Sequence, residues 1–329
     1  MRRLLSRLTG ERAFLVLTVV TVVALLVNVA SGALVRVTNS GLGCPDWPLC
    51  NGRPTPAFQA HTVIEYGNRI LAFGVILSTV LLAIAAWRVR RGRDDHEWRL
   101  ALAIGVGTFA QGPLGGITVL TDLHPIAVMS HFLLAVVVLA LAIVLMVDAR
   151  GWAADWGPRP GWATPAAVAL PLATFALVVS GAVVTMSGTH PGGDDVERLW
   201  NLLDAAYVHV RIAVAFVAFL ALFLYALARL EAPPRRLARL SWLLVGAVAL
   251  QVLIGEYQWR HQLPWWAVLA HVTVAALLFS TSVALARTLA PRRAAPTPPT
   301  PPPAPPVAAG SLRPPAGTAP GAPPPPRGS

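Results

Sequence analysis

The sequence predicts an all-α integral membrane protein with eight transmembrane helices, arranged as two four-helix bundles related by a pseudo-twofold axis. Composition decides the class, because 55% of the 329 residues are hydrophobic and only 12% are charged, with a mean hydropathy of +0.61. Eight apolar segments, each long enough to cross a bilayer, give the helices. An internal repeat between the first four and the last four segments gives the arrangement.

The predicted spans divide the chain into two membrane units with two polar ends. The spans cover residues 13–36, 62–88, 98–121, 126–148, 163–186, 204–229, 237–258 and 264–289. Residues 1–12 form the N-terminus, 13–148 the N-terminal bundle, 163–289 the C-terminal bundle, and 290–329 a proline-rich tail. The tail cannot bury a core, so we expect it to be disordered and without a catalytic role.

The charge pattern predicts the orientation in the cell membrane. The net charge of +11 comes entirely from arginine, because the sequence contains no lysine. The arginines cluster before the first span and in every second loop, which is a topology signal and not a nucleic-acid patch. The positive-inside rule therefore places both termini in the cytoplasm of a multi-pass protein surrounded by lipid.

The repeat relates spans 1–4 to spans 5–8. Gln111-Gly-Pro-Leu-Gly in span three matches Gln251-Val-Leu-Ile-Gly in span seven at an offset of 140 residues. His131 matches His271 at the same offset. Because each unit has an even number of spans, the two halves share one orientation, and their pseudo-twofold axis runs along the membrane normal.

Three histidines lie inside spans, at one depth. His131, His209 and His271 are five to seven residues from the outer ends of spans four, six and eight, about 9 Å deep at the helical rise. Imidazoles from facing helices of a bundle can hold haem iron. The alternative is that each makes an ordinary helix–helix hydrogen bond. In the N-terminal bundle, the position that matches His209 is Asn68, at an offset of 141 residues.

The first outer loop, residues 37–61, contains both cysteines and leads into an acidic residue. It holds the run Cys44-Pro-Asp-Trp-Pro-Leu-Cys50, which on an oxidising face favours a disulfide over a metal site. Glu65 and Arg69 follow on one face of span two, where charges are expensive and usually functional. The alternative is an interfacial ion pair that only orients the helix.

Taken together, these motifs resemble the haem A synthases, which are bacterial haem O oxidases of the inner membrane, and among them the actinobacterial members. The resemblance covers residues 12–290 and is carried by the cysteine loop, Ile-Glu-Tyr-x-x-Arg, Leu-His-Pro with a later histidine, and the histidine pair of the second half. It implies oxidation of the C8 methyl of haem O to the formyl of haem A, which supplies haem-copper oxidases.

The resemblance also implies roles for individual residues. His209 and His271 would ligate a haem b cofactor, and His131 would be one ligand of the substrate haem. Glu65 would be the acidic residue of turnover, and Cys44 and Cys50 the outer-loop cysteine pair. The partners implied are haem O, with a haem O synthase as a candidate supplier, and an electron donor that the sequence does not identify. The sequence also allows a homo-oligomer.

This chain departs from the usual pattern at one ligand position. The usual Glu-Tyr-x-His-Arg reads Glu65-Tyr-Gly-Asn68-Arg69. His61, seven residues before Asn68 on the same helical face, could replace the missing imidazole if the haem sat higher. Alternatively, that iron is five-coordinate with an open position.

Small residues are expected to leave room for a flat macrocycle; they are Gly67, Gly115, Gly116 and Ala270. Arg69 and Arg211 would pair with haem propionates or serve as interfacial anchors. Two other functions compete with the synthase. A membrane b-type cytochrome that only transfers electrons explains the histidines but gives Glu65 and the cysteine loop no role. A transporter ranks last, because the spans lack broken helices.

Overall fold

The computed structural model describes residues 10–92, 95–152, 159–230 and 233–290, and these parts of the chain form eight long α-helices. The helices are α1 Glu11–Val37, α2 Ala60–Arg90, α3 Asp95–Leu120, α4 Pro125–Ala149, α5 Ala163–Ser187, α6 Leu202–Ala228, α7 Arg235–Arg260 and α8 Trp265–Leu289. The predicted proline-rich tail lies outside the described residues from 291 onward, as does most of the N-terminal segment.

The predicted all-α membrane architecture is confirmed. All eight helices are long and apolar enough to cross a membrane. Several begin earlier than the apolar pattern indicates; α2 starts at Ala60 and α3 at Asp95. The reason is that a polar turn continues the helix beyond its apolar part. Large apolar side chains such as Phe73 and Trp242 are exposed on outward faces, which suits contact with lipid.

The helices pack as four sequential hairpins, α1–α2, α3–α4, α5–α6 and α7–α8. In addition, α1 packs on α4 and α5 packs on α8, while α4–α8, α1–α8 and α4–α5 contacts join the two halves. One contact breaks the similarity between halves. Helices α2 and α3 pack together, whereas α6 and α7 scarcely touch within the described residues. The second half is therefore more open on that side.

Matching turns appear at the end of the helices where the α1–α2, α3–α4, α5–α6 and α7–α8 loops lie. We call it the disulfide end, because the α1–α2 loop contains Cys44 and Cys50. Leu123 and Leu263 both adopt left-handed backbone conformations, with φ of 60° and 58°. Each donates its backbone N–H to a carbonyl five residues earlier. Near the opposite end, Arg287 Nε lies 2.7 Å from Asp148 Oδ1, an ion pair between α8 and α4.

Candidate haem sites and the disulfide loop

The three intramembrane histidines occupy the same level of three different helices. His131 lies on α4, His209 on α6 and His271 on α8, and each is six or seven residues after the first residue of its helix. At 1.5 Å per residue, this places them about 10 Å from the disulfide end. The depth predicted from the sequence is therefore reproduced in the helices.

Each of these imidazoles packs against a glycine on the preceding helix. A Cβ added at the glycine would lie between 3.2 and 3.4 Å from the imidazole Cε1, which is tighter than ordinary van der Waals contact. The pairs are His131 with Gly115, His209 with Gly181, and His271 with Gly255. The glycines therefore give each ring a flat surface against a neighbouring backbone, and larger residues there would displace it.

The imidazole nitrogens have few partners within the protein. Nδ1 of His131 and Nδ1 of His271 are buried and have no hydrogen-bond partner among the described residues. Nδ1 of His209 lies 2.8 Å from Ser180 Oγ. Because leaving a buried polar nitrogen unsatisfied costs about 1–3 kcal/mol, the rings of His131 and His271 have a hydrogen-bonding capacity that the described residues do not meet.

Two of the imidazoles belong together. His209 and His271 lie at the same level of α6 and α8, both in the second half. An open apolar groove of about 450 Å³ lies between α5 and α6, and Ser180, the hydrogen-bond partner of His209, is among its lining residues. This volume is in the range of small-molecule and cofactor sites. The second half thus has two imidazoles at one level and an apolar groove next to the serine that contacts one of them.

Asn68 stands where the fourth imidazole would be. Its side chain is half-buried on α2, and its Oδ1 atom is buried without a hydrogen-bond partner among the described residues. Gly32 on α1 corresponds in the repeat to Gly181, since Ser31-Gly32 matches Ser180-Gly181. A Cβ added at Gly32 would meet no atom within 4 Å. The first half therefore keeps the glycine but has empty space in front of it.

Glu65 is buried, with only 4% of its surface exposed, and both of its oxygens are engaged. Oε2 accepts a hydrogen bond from the backbone N–H of Cys44 at 2.6 Å. Oε1 accepts one from Arg69 Nη2, also at 2.6 Å. Cys44 and Cys50 form the disulfide that the sequence predicts. The carboxylate therefore joins α2 to the disulfide loop.

Arg69 holds the rest of this loop. Its guanidinium donates hydrogen bonds to a set of loop carbonyls at 2.7–3.4 Å; they belong to Cys44, Asp46, Pro48 and Leu49. The sequence suggested either a propionate partner or an interfacial anchor for this arginine. In the structure it binds the disulfide loop, which folds back over the start of α2, and both suggested roles stay predictions. Arg211 contacts its own helix, with its guanidinium stacked 3.9 Å from the centre of the Tyr207 ring.

Trp47, at the tip of the disulfide loop, lies on Gly116 of α3. A Cβ at Gly116 would be 2.8 Å from Trp47 Cδ2. The expectation that Gly116 leaves room for a macrocycle is therefore wrong, since the indole fills that space. Gly67 does face open space, with no atom within 4 Å of an added Cβ. Gly116 is next to Gly115, on which the His131 ring packs. The disulfide loop therefore contacts α3 beside the His131 position.

The disulfide loop is also braced internally. The backbone N–H groups of Gly52 and Asn51 donate to the two carboxylate oxygens of Asp46 at 2.6 and 2.5 Å. These bonds hold the pKa of the Asp46 carboxyl below its usual value. His61 lies at the base of the loop, exposed, with Nδ1 3.0 Å from Ser40 Oγ. It is therefore engaged at the disulfide end, away from Asn68.

Several of these contacts were missed by sequence reasoning. They include the hydrogen bond between Ser180 and His209. They also include the packing of each imidazole on a glycine, which could have been inferred because the repeat aligns Gly115 with Gly255. The Trp47 contact with Gly116 had no signal in the spacing of residues. It depends on how the loop folds over α3.

A family profile described as "Cytochrome oxidase assembly protein" (COX15-CtaA) matches residues 14–192, more than half of the chain. The chain belongs to this family. Heme A synthase of Shewanella oneidensis is 26% identical over 324 residues, covering 81% of this chain and 93% of the relative. Heme A synthases of Bacillus mycoides and of Bacillus cereus (strain AH187) are 33% and 32% identical over 131 residues, covering 39% of this chain and 42% of each relative.

The match to the cytochrome oxidase assembly family confirms the resemblance inferred from the motifs. The matched region contains Glu65, Asn68, His131 and the disulfide loop, whereas His209 and His271 lie beyond residue 192. In this family member, no group of three or more His, Cys, Asp or Glu side chains among the described residues could hold a bare metal ion.

Proposed function

We propose that this protein is a haem A synthase, which oxidises the C8 methyl of haem O to the formyl group of haem A. The observation that carries the proposal is the set of three imidazoles at one depth, each packed on a glycine of the preceding helix. In two of them, those of His131 and His271, Nδ1 has no hydrogen-bond partner among the described residues. Relatives named Heme A synthase support it, one of them matched over 93% of its length. The chain is an enzyme of the membrane, as its helices and family indicate.

The two halves would hold two haems with different tasks. His209 and His271 would ligate haem b, because they lie at one level of α6 and α8 and each packs on a glycine of the preceding helix. His131 would ligate the substrate haem in the first half, which also contains Glu65 and the disulfide loop. Bound haem supplies the redox chemistry for oxidising a methyl group twice, which no side chain can perform.

The chain's own residues would cover the substrate site and place a carboxylate beside it. The disulfide loop, whose Trp47 lies on Gly116, would restrict the access of water to the first half. Glu65 places a carboxylate beside this loop and would act as proton donor or acceptor, or as a stabiliser of developing positive charge. Arg69 fixes Glu65 and the loop in one arrangement. A shift of the loop would therefore also shift the carboxylate.

The arginine distribution supports an orientation with both termini in the cytoplasm and the disulfide end outside the cell membrane. In this orientation, haem O would reach the first half from the bilayer, whether or not a haem O synthase delivers it. An electron donor would reduce the haem b of the second half. A homo-oligomer is compatible with the exposed apolar helix faces.

The competing function is a b-type cytochrome that only transfers electrons. It would use His209 and His271 but has no task for the first-half imidazole beneath a covering loop. The absorption spectrum of the purified full-length protein, with its haems extracted and identified, separates the two. The synthase predicts haem b together with haem O or haem A. Haem b as the sole pigment would support the electron carrier and contradict the proposal.

A further inference from the structure

The four glycines at the histidine level show that one position in the repeat is different. They lie on α1, α3, α5 and α7, and they are Gly32, Gly115, Gly181 and Gly255. The last three each contact an imidazole, whereas Gly32 faces no atom within 4 Å of an added Cβ. Helix packing and repeat thus retain the place for a fourth ring, but the chain puts Asn68 there. The side chain is shorter and leaves the space unfilled.

The surroundings of Gly32 in the first half are more polar than those of Gly181, the corresponding glycine of the second half. One turn before Gly32 on α1 lies Asn28, whose Oδ1 is buried without a hydrogen-bond partner among the described residues. The corresponding residue one turn before Gly181 is Leu177. Asn68 Oδ1 is likewise buried and unpartnered. Two unsatisfied amide oxygens therefore border the space in the first half, whereas an imidazole and a leucine occupy these positions in the second half.

Other side chains do not fill the missing role. His61 is exposed, and its Nδ1 is engaged with Ser40 Oγ at the disulfide end. Asn68 itself offers a neutral carboxamide, which is a much weaker iron ligand than imidazole. Its buried Oδ1 is a hydrogen-bond acceptor without a partner among the described residues, which is unfavourable unless a hydrogen-bond donor binds there.

We propose that the haem of the first half has a single protein ligand, His131, and that its opposite face adjoins an open polar pocket formed by Gly32, Asn28 and Asn68. This pocket takes a small neutral molecule that binds iron and donates a hydrogen bond to the Asn68 amide oxygen, of the class of water. The inference rests on the proposed function, because it assumes that His131 binds haem. The second half is closed to such ligands by His209 and His271.

Carbon monoxide tests the pocket without any requirement for turnover, since it binds ferrous haem that has a free axial position. The full-length protein, purified with its haems and reduced, should bind carbon monoxide at one of its two haems. Asn68→His should abolish this binding and convert that haem to a low-spin form, because the added ring faces Gly32 as His209 faces Gly181. Asn68→Leu, which cannot ligate iron, should retain carbon monoxide binding.

The reciprocal change in the second half provides the matched control. His209→Asn should create a second haem that binds carbon monoxide, since it places in the second half the residue found in the first. The His209→Asn variant tests the inference even if Asn68→His does not accumulate in membranes. A reduced wild-type protein with two low-spin haems and no carbon monoxide binding would overturn the inference while leaving the synthase proposal intact. A wild-type protein with one haem, unaffected by His131→Ala, would overturn both.

Discussion

The backbone N–H of Cys44 donates a hydrogen bond of 2.6 Å to Glu65 Oε2, so a buried carboxylate of α2 fixes the start of the disulfide loop. The other oxygen of Glu65 pairs with Arg69, which binds four loop carbonyls. The loop, the ion pair and the first turns of α2 therefore form one unit. Because this unit covers the half that contains His131, its integrity and the proposed chemistry are coupled.

Arg69→Ala should destabilise this unit strongly. The change leaves the buried Glu65 carboxylate without its ion-pair partner and removes the donors for the loop carbonyls. Loss of one member of a buried pair typically costs about 3–5 kcal/mol. Thermal unfolding of the detergent-solubilised protein measures the effect. Arg211→Ala is the control, because Arg211 is exposed and contacts only Tyr207 in the described structure. Equal stability of the two variants would contradict the loop-binding role of Arg69.

Alanine substitutions at the glycines should distinguish occupied from empty positions. Gly181→Ala would press a methyl group against the His209 ring, which lies 3.3 Å from the added Cβ position. An off-rotamer imidazole costs about 1 kcal/mol, roughly a fivefold loss of haem affinity. Gly32→Ala should have no such effect, because no atom lies near its Cβ position. Haem titration of membranes depleted of haem compares the two, and equal losses would refute the packing argument.

Removal of either imidazole of the second half should eliminate the low-spin form of haem b. His209→Ala and His271→Ala should each lose the low-spin haem b spectrum, while immunoblots show normal amounts of protein in the membrane. His261→Ala serves as the control, since His261 is exposed at the end of α7 and contacts the Tyr257 carbonyl. A full haem b signal in either of the first two variants would disprove the ligand assignment.

The cysteines should be unreactive until the disulfide is reduced. In intact cells, a thiol reagent that cannot cross the membrane should label the protein only after treatment with a reductant, because an oxidising compartment maintains the bond. Cys44→Ser frees Cys50, so this variant should be labelled without reductant. Labelling of the untreated wild type would argue against a resting disulfide. Labelling of Cys44→Ser only after cells are permeabilised would reverse the proposed orientation.

The sequence predicted those features that depend on periodicity and repeats. Long apolar runs gave the eight helices, and the offset between His131 and His271 gave their common depth. The disulfide between Cys44 and Cys50 followed from a short loop on an oxidising face. These predictions succeeded because each depends on local spacing along the chain.

Contacts between distant segments were beyond such reasoning. Gly116 was expected to leave space, but Trp47 fills it, since the fold of the disulfide loop is set by Glu65 and Arg69 together. The weak contact between α6 and α7 was equally invisible, because the repeat predicts the same packing as between α2 and α3. The sequence revealed the substitution at Asn68, but only the structure showed the empty space at Gly32.

The central claim is that this chain converts haem O to haem A, and the haem content of cells tests it most directly. The chain would be expressed, together with a source of haem O, in a strain that has no haem A synthase, and the extracted haems would be separated by chromatography. Glu65→Gln is the internal comparison, because the amide keeps the shape and an acceptor for the Cys44 N–H but removes the negative charge.

We predict that the wild-type chain yields haem A. Glu65→Gln should retain haem b while haem O or a partly oxidised haem accumulates. Normal haem A from Glu65→Gln would remove this residue from the chemistry and leave it only its structural role. Haem O without haem A from the wild-type chain, correctly inserted and containing haem b, would contradict the account.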